Sequence, residues 1–191
     1  MRRQLLPALR MTIALIVLLG LAYPLVVTGV AQALFRSRAN GSLVTRDGVA
    51  VGSSLIGQNF IGARYFHPRP SAAGTAGYDS TASGASNLGP SNPTLLDAVA
   101  KRATDYRTEN GLAPGTPVPV DAVTGSGSGL DPDISLANAE DQAGRVASAR
   151  GTTLDRILAM VDAHTTGRPL GVLGEKTVNV LELNLAMDAA H

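Results

Sequence analysis

The chain has 191 residues and no cysteine, which excludes disulfide bonds and thiolate metal sites. All 15 acidic residues lie beyond residue 35, together with 13 basic ones, so the last 156 residues carry a formal charge of −2. This balance excludes a polybasic surface for nucleic acid, and 156 residues are enough for one domain with its own core.

The longest uncharged stretch covers residues 11–35, which contain no Asp, Glu, Lys, Arg or His. A helix of this length extends for roughly 37 Å, which exceeds the ~30 Å hydrocarbon core of a bilayer. Ala31-Gln32-Ala33 resembles a signal-peptide cleavage pattern, but the apolar region of a signal peptide is much shorter. We therefore predict an N-terminal segment (1–10), a transmembrane helix (11–35) and one domain (36–191).

Flanking charge predicts the orientation of this helix. Three arginines and the free amine precede it, whereas Arg36 and Arg38 follow it closely. The difference favours a cytoplasmic N-terminus, with the bulk of the chain extracytoplasmic.

Pro24 is expected to kink the transmembrane helix, because proline removes one backbone hydrogen bond. Gly29 and Ala33 have the spacing at which small residues allow two helices to approach closely. These three residues are therefore candidates for contact with partner helices, although the same residues also occur in ordinary membrane anchors.

After the helix, residues 43–45 and 49–51 flank Asp47-Gly48 and predict a β-hairpin. Residues 53–61 are typical of a short strand or loop. Residues 62–93 show neither helical nor strand periodicity and are rich in Gly, Ser, Ala, Asn and Pro. Because this stretch also contains several aromatic and charged side chains, we expect an ordered surface loop rather than a flexible linker.

Helices are predicted from capping signals in the remainder of the chain. The first follows Asn92 and stops before Gly111, the second covers 136–150, and the third is capped by Thr152. Short strands are expected near residues 118–123 and 170–173, and a buried helix at 178–187. The predicted fold class is thus mixed α/β, with a transmembrane helix followed by a loop-rich domain.

The sequence fails several tests for catalytic or metal-binding motifs. Glu175 lies where a phosphate loop requires glycine before lysine, and residues 125–129 lack the glycine spacing of a nucleophile elbow. The three histidines, His67, His164 and His191, have no metal-ligand spacing. The residues alone therefore predict a non-catalytic domain, with an exported hydrolase or binding module as the remote alternative.

Ordered blocks along the whole chain carry a more specific signal. They are GSSLIGQ at 52–58, YFH at 65–67, RPS at 69–71, SGASNL at 83–88, PVPV at 117–120, SGLD at 128–131 and VNVLELNLA at 178–186. Together with the N-terminal anchor and the length, these blocks resemble the C-subunit family of the bacterial potassium-transporting Kdp ATPase.

The resemblance implies an accessory subunit of the bacterial inner membrane. Its partners would be a catalytic P-type ATPase subunit, a channel-like K⁺-translocating subunit and a small membrane peptide. ATP hydrolysis would take place on the catalytic subunit, K⁺ would be the transported ion, and no cofactor would bind tightly to this chain. By position, Tyr65, His67, Arg69 and Asn87 become further candidates for partner contact.

The family is described as a catalytic chaperone that raises the ATP affinity of the catalytic subunit, through residues likened to an ABC-type signature. The matching candidates for nucleotide binding are Ser83, Gly84, Ser86 and Gln142, although the second glycine and the glutamine of that signature are missing near Ser83. The predicted orientation also places all four across the membrane from ATP. The alternative consistent with that orientation is a periplasmic cap at the K⁺ entrance of the channel-like subunit.

Overall fold

The computed structural model describes residues 2–190. It comprises two units, Met1–Val51 and Gly52–His191, and each is described by itself. His191, one of the histidines considered above, lies outside the described residues.

The first unit begins with one continuous helical stretch. It consists of α1 (Arg2–Leu15), a π-helical segment (Ile16–Ala22) and α2 (Tyr23–Leu34), followed by the short helix α3 (Arg36–Ala39). By length and composition, Arg3–Leu34 is long and apolar enough to cross a membrane. A helix suitable for the predicted membrane span is thus present, and in the structure the helical stretch begins before residue 11.

The π-helical segment lies immediately before Pro24. There the Tyr23 N–H donates to the Leu18 carbonyl, five residues earlier, instead of to the residue four earlier. A proline ring clashes with the carbonyl four residues before it, so a locally wider turn accommodates the ring within a continuous helix. The predicted disturbance at Pro24 therefore takes the form of a π-helical turn.

The hairpin predicted after the membrane helix is confirmed. Strands β1 (Leu43–Arg46) and β2 (Val49–Ser53) pair with each other. The two turn residues, Asp47 and Gly48, have φ of 52° and 78°, which is the left-handed geometry that a two-residue hairpin turn requires.

Over residues 52–190, the second unit combines five α-helices with a three-stranded antiparallel sheet. The helices are α4 (Pro93–Glu109), α5 (Val120–Val123), α6 (Leu136–Arg150), α7 (Leu154–Ala163) and α8 (Val180–Ala189). The strands β3 (Asp133–Ser135), β4 (Thr165–Thr166) and β5 (Thr177–Asn179) lie in the order β3–β5–β4. Ile134 pairs with Val178, which fixes the register of the central strand. The predicted mixed α/β class is confirmed.

The core of this unit lies where α6, α7 and α8 pack against the sheet and one loop residue. Its buried side chains are Phe66, Ile134, Ala139, Ala143, Val146, Ala147, Ile157, Val161, Val178, Val180, Leu183 and Met187. Many of the α6 members are alanines, so the helices approach closely and the side chains of the facing elements fill the space.

Local capping signals determine the helix ends. The Asn92 side chain accepts from Thr94 N–H at the start of α4, and Ser135 accepts from Asn138 N–H at the start of α6. Gly151, with φ of 62°, ends α6 as predicted. The cap of α7 is Thr153 rather than the predicted Thr152, because the Thr153 hydroxyl is the one that accepts a helical N–H, that of Arg156.

Two predicted strands are wrong. Residues 118–123 contain the helical turn α5, in which Val120 is 73% exposed and has no sheet to pack against. Residues 169–171 form a 3₁₀ turn, and Leu170 has φ of 54°, outside the extended region. The strands that do form, β3 and β5, lie directly before helices and are only three residues long.

Candidate functional site

Residues 62–92 contain no helix or strand, as predicted, but they do not all lie on the surface. Phe66 and Ala73 are completely buried, and Phe66 belongs to the core. Buried backbone groups need hydrogen-bond partners, and an irregular segment cannot supply them to itself. The prediction of a surface loop is therefore wrong for Phe66 and Ala73. We call residues 63–67, which contain Phe66, the clamped segment.

Two carboxamide side chains clamp this segment from two helices. On α6, Gln142 accepts from the His67 N–H at 2.7 Å and donates to the His67 carbonyl at 3.1 Å. On α8, Asn184 accepts from the Phe66 N–H at 2.8 Å and donates to the Phe66 carbonyl at 2.9 Å. In an extended chain, the backbone groups of successive residues point to opposite sides, so each carboxamide replaces a neighbouring strand on its own side.

Two arginines extend the clamp. Arg145 donates to the carbonyls of Ala63 and Tyr65, and Arg150 donates to the carbonyl of Arg64. With the bonds from Gln142 and Asn184, all five consecutive carbonyls from 63 to 67 accept from side chains of α6 or α8. This pattern fixes the path of the clamped segment without any regular secondary structure.

Arg150 also connects the two helices. Its side chain is 0% exposed and donates to the Met187 carbonyl and to Asp188 at 2.9 Å each. The Tyr65 ring lies 5.3 Å from the Arg150 guanidinium carbon, and the Tyr65 hydroxyl donates to Asp188. Tyr65, predicted as a partner contact, thus contributes to the interior of its own domain.

Gln142 uses its full hydrogen-bonding capacity inside the domain. Besides the two bonds to His67, its amide donates to Asn138 Oδ1 at 2.9 Å and its oxygen accepts from Arg145 at 2.7 Å. A carboxamide offers two donors and two acceptor sites, and these four bonds occupy all of them. At 2% exposed, Gln142 is a buried structural residue in this conformation.

His67 and Arg69 line a cleft of about 330 Å³ beside α4. The His67 Nδ1 lies 3.0 Å from Glu109 Oε1, and its Nε2 lies 3.0 Å from the Gly62 carbonyl oxygen. Burial, followed by the charge of Arg145, lowers the pKa of His67 below its ordinary value. Imidazole and carboxylate thus join the end of the clamped segment to α4.

Arg69 forms a second connection at the cleft. Its guanidinium donates to Asp131 at 2.7 Å, and its backbone carbonyl accepts from the Tyr78 hydroxyl at 2.6 Å. Burial is the main reason why the pKa of Tyr78 is raised, which keeps that hydroxyl protonated as a donor. His67 and Arg69 are both half-buried, so only part of each side chain is available to another chain.

The remaining nucleotide candidates lie along a different part of the domain. The Gly84 N–H and the Ser83 hydroxyl both donate to the Ser128 carbonyl, at 2.8 and 3.0 Å. Ser86 and Asn87 line a second cavity of about 310 Å³, beside the glycine-rich turn at 125–127. Gln142 lines the first cleft instead. The structure therefore groups Ser83, Gly84, Ser86 and Asn87 but leaves Gln142 apart from them.

The residues of the clamp were missed by sequence reasoning, apart from Gln142. One signal was present: Arg145, Arg150 and Asn184 are polar positions among the apolar residues of α6 and α8, and buried polar side chains need partners. Within residues 2–190, no group of three or more His, Cys, Asp or Glu side chains is placed to hold a metal ion.

Comparison with known proteins gives a consistent result. The family described as "K⁺-transporting ATPase, c chain" matches residues 5–189. A potassium-transporting ATPase KdpC subunit of Mycobacterium tuberculosis is 59% identical over 188 residues, covering 98% of this chain and 99% of the relative. A subunit of the same name from Rhodospirillum rubrum is 57% identical, over 98% of this chain and 96% of the relative. Another from Koribacter versatilis is 50% identical, over 100% of this chain and 97% of the relative.

These matches cover both the N-terminal apolar helix and the unit that follows it. They agree with the resemblance drawn from the sequence blocks, and potassium is the transported ion of the complex that the family name describes. The chain belongs to the KdpC family, the C subunits of potassium-transporting ATPases.

Proposed function

We propose that this chain is a non-catalytic accessory subunit of an ATP-driven, high-affinity potassium uptake complex in the bacterial inner membrane. A catalytic P-type ATPase subunit would hydrolyse ATP, and a channel-like subunit together with a small membrane peptide would complete the complex. Support comes from the family, from the candidate membrane helix at Arg3–Leu34, and from catalytic motifs that fail on specific residues such as Glu175.

In this proposal the chain assembles and stabilises the complex, and any increase in the ATP affinity of the catalytic subunit is transmitted through contacts between subunits. The observation that carries this choice is the saturation of Gln142, whose four hydrogen bonds all go to groups of its own domain. To contact ATP directly, Gln142 would have to release the buried backbone of His67, which costs free energy unless another partner replaces it.

The test compares Gln142→Ala with Asn184→Ala in the assembled complex. The two residues clamp neighbouring backbone positions in the same way, but Asn184 is not part of the signature likened to ABC proteins. We expect both variants to lower the thermal stability of the subunit and the yield of the complex. Among complexes that do assemble, we expect the same ATP concentration dependence of hydrolysis for both variants.

The outcome that contradicts this proposal is specific. If complexes with Gln142→Ala need more ATP for half-maximal hydrolysis while those with Asn184→Ala do not, Gln142 acts on nucleotide rather than on the fold. If the wild-type chain does not co-purify with a P-type ATPase from detergent extracts, and its deletion leaves growth at limiting potassium unchanged, the accessory role itself is wrong.

A second candidate function is a cap at the K⁺ entrance of the channel-like subunit. It is favoured by the charge of residues 52–191, which carry 14 acidic and 10 basic residues and hence a net charge of −4. An acidic domain held at the mouth of a channel raises the local concentration of cations. Because the chain has no cysteine, Ser37→Cys labelled with a membrane-impermeant reagent tests the location. Labelling from the cytoplasmic side alone would exclude the cap.

A further inference from the structure

In the part of the chain that the structure describes, the backbone carbonyl of Leu19 receives no hydrogen bond from its own helix. A helical carbonyl accepts from the N–H three, four or five residues later. Four residues later, the Tyr23 N–H donates to Leu18 instead. Five residues later is Pro24, which has no N–H. Three residues later, Ala22 belongs to the π-helical segment, in which each N–H donates five residues back.

Side chains of the same helix cannot replace this missing donor. The clearly polar side chains of residues 11–35 are Thr12, Tyr23, Thr28 and Gln32. The two threonines lie about two turns or more from Leu19, and Gln32 is paired with Asn40. The Tyr23 hydroxyl is at the far end of its ring, where it cannot return to a carbonyl on the preceding turn of its own helix.

The Leu19 carbonyl lies at a depth where the bilayer offers no donor. It is eight residues beyond Met11, the first residue of the uncharged stretch, which corresponds to about 12 Å of helix. The hydrocarbon core of a bilayer is about 30 Å thick, so this carbonyl is near its middle. An unpaired backbone group there costs free energy that acyl chains do not offset, because they carry no N–H or O–H.

Small residues leave the Leu19 carbonyl accessible from outside the helix. Gly20 follows it directly, and a Cβ added there would meet only Ile16 Cγ2 within 4 Å, at 3.9 Å. Ala22, on the next turn, carries a single methyl group. The absence of larger side chains at these two positions allows another helix to bring a donor close to the backbone.

A neutral side chain of another helix is the donor that fits this site. A lysine or arginine at this depth costs much more free energy than a hydroxyl or a carboxamide. A second copy of this chain in the same orientation would place only Tyr23 near this depth, since its threonines lie about 10 Å or more along the helix. We propose that the Leu19 carbonyl binds an uncharged O–H or N–H donor, from Ser, Thr, Asn or Gln, on a neighbouring transmembrane helix of the potassium-transporting ATPase complex.

This inference rests on the proposed accessory function and adds a specific contact to it. The first test replaces Tyr23 by the photoreactive p-benzoylphenylalanine, whose aromatic side chain lies over the turn that contains Leu19. Illumination of the assembled complex should cross-link position 23 to another subunit, within one helical turn of a Ser, Thr, Asn or Gln that mass spectrometry identifies. The same amino acid at Leu25, about 200° away around the helix, is the control and should cross-link much less to that residue.

The second test is a double-mutant cycle between Pro24 and the donor so identified. Pro24→Ala supplies the missing N–H, so the helix can satisfy Leu19 internally, and the isolated chain should be at least as helical as the wild type by circular dichroism. Replacing the donor by an apolar side chain of similar size, such as valine for threonine or leucine for asparagine, should lower recovery of the complex about threefold. In complexes with Pro24→Ala, the same replacement should have little further effect.

Other outcomes overturn the proposal in distinguishable ways. Equal losses on donor replacement with and without Pro24 would show that the donor does not act on Leu19. Cross-linking at position 23 to lipid alone, or to a second copy of the chain, would assign this face to the bilayer or to self-association and leave the accessory function intact. Failure of the wild-type chain to co-purify with a P-type ATPase would remove the accessory function and this inference together.

Discussion

The imidazole of His67 lies between two hydrogen-bond acceptors, with Nδ1 3.0 Å from the carboxylate of Glu109 and Nε2 3.0 Å from the carbonyl of Gly62. A neutral imidazole has one N–H and can donate to only one of them. The protonated form could donate to both acceptors, which favours protonation. Burial and the charge of the neighbouring Arg145 have the larger effect, and the pKa of His67 is lowered below 6.5. The contact between the clamped segment and α4 therefore depends on pH.

The sign of that dependence follows from proton linkage. The unfolded chain binds more protons at His67 than the folded chain does between the lowered pKa and 6.5, so stability falls as the pH falls through this interval. Above pH 6.5 His67 is neutral in both states, and its contribution to the free energy of unfolding is fully present. We expect His67→Gln to flatten the slope of the free energy of unfolding against pH below this value, measured by urea denaturation and circular dichroism.

Glu109→Gln provides the matching variant. The Glu109 carboxylate raises the pKa of His67, so its removal should lower that pKa further and extend the loss of stability to lower pH. If His67→Gln keeps the wild-type slope, titration of this histidine is not coupled to folding.

Replacement of Arg150 should be among the most destabilising changes in the domain. Arg150→Ala would remove the Arg150 donors from the carbonyls of Arg64 and Met187 and one donor from the carboxylate of Asp188. Removal of one partner from a buried ion pair costs about 3–5 kcal/mol. Arg150→Lys should recover only a part of this, since an ammonium cannot reproduce the planar geometry of the guanidinium donors.

Urea denaturation of the full-length chain in detergent would measure these losses. Arg156→Ala is the control, because that side chain is exposed and its hydrogen bond to the Ala190 carbonyl is long, 3.4 Å, so the change in stability should be no more than about 0.5 kcal/mol. Equal losses at positions 150 and 156 would show that the buried network is not an important source of stability.

What could be predicted from the sequence depends on the distance over which each signal acts. The caps at Asn92 and Ser135 and the stop at Gly151 act within one turn of their helices, and the Asp47-Gly48 turn acts within its hairpin. These elements were predicted correctly. The sheet was not, because β3 and β5 pair residues 44 positions apart and are too short to show alternation, as Ile134 with Val178 illustrates.

The clamp was beyond sequence reasoning for the same reason. Gln142 and His67 are 75 residues apart, and Asn184 and Phe66 are 118 residues apart. No local pattern relates a carboxamide on a helix to one backbone position in a loop. The sequence did single out Gln142, by resemblance, as a nucleotide candidate, whereas the structure places it in the interior network. The apolar run at 170–173 favours a strand by composition, because periodicity alone cannot separate a short buried strand from an exposed apolar turn.

Gly129 should be intolerant of any side chain. Its φ is 68°, and a Cβ at this position would lie 2.6 Å from the Gly84 carbonyl oxygen and 2.9 Å from the Ala73 nitrogen. Both neighbours are backbone atoms and cannot rotate away. Gly129→Ala should therefore lower the free energy of unfolding by at least about 1–3 kcal/mol, the usual cost of one strained residue.

Gly127→Ala is the matched control from the same turn, because a Cβ there meets nothing within 4 Å. We expect its thermal unfolding to match the wild type. Gly129→Ala should also loosen the Ser83-Gly84 segment, which hydrogen-exchange rates at Gly84 would detect. Equal stability of the two variants would mean that the backbone contact at Gly129 relaxes at little cost.

The membrane helix yields a prediction about assembly. A Cβ at Gly29 meets nothing within 4 Å in this chain, so Gly29→Leu introduces no internal clash. If Gly29 and Ala33 face a partner helix closely, the larger side chain should reduce recovery of the complex about tenfold, which corresponds to about 1.4 kcal/mol. Val27→Leu, about 200° away around the helix, should have little effect. Unchanged recovery with Gly29→Leu would leave this helix as a membrane anchor without close packing at that position.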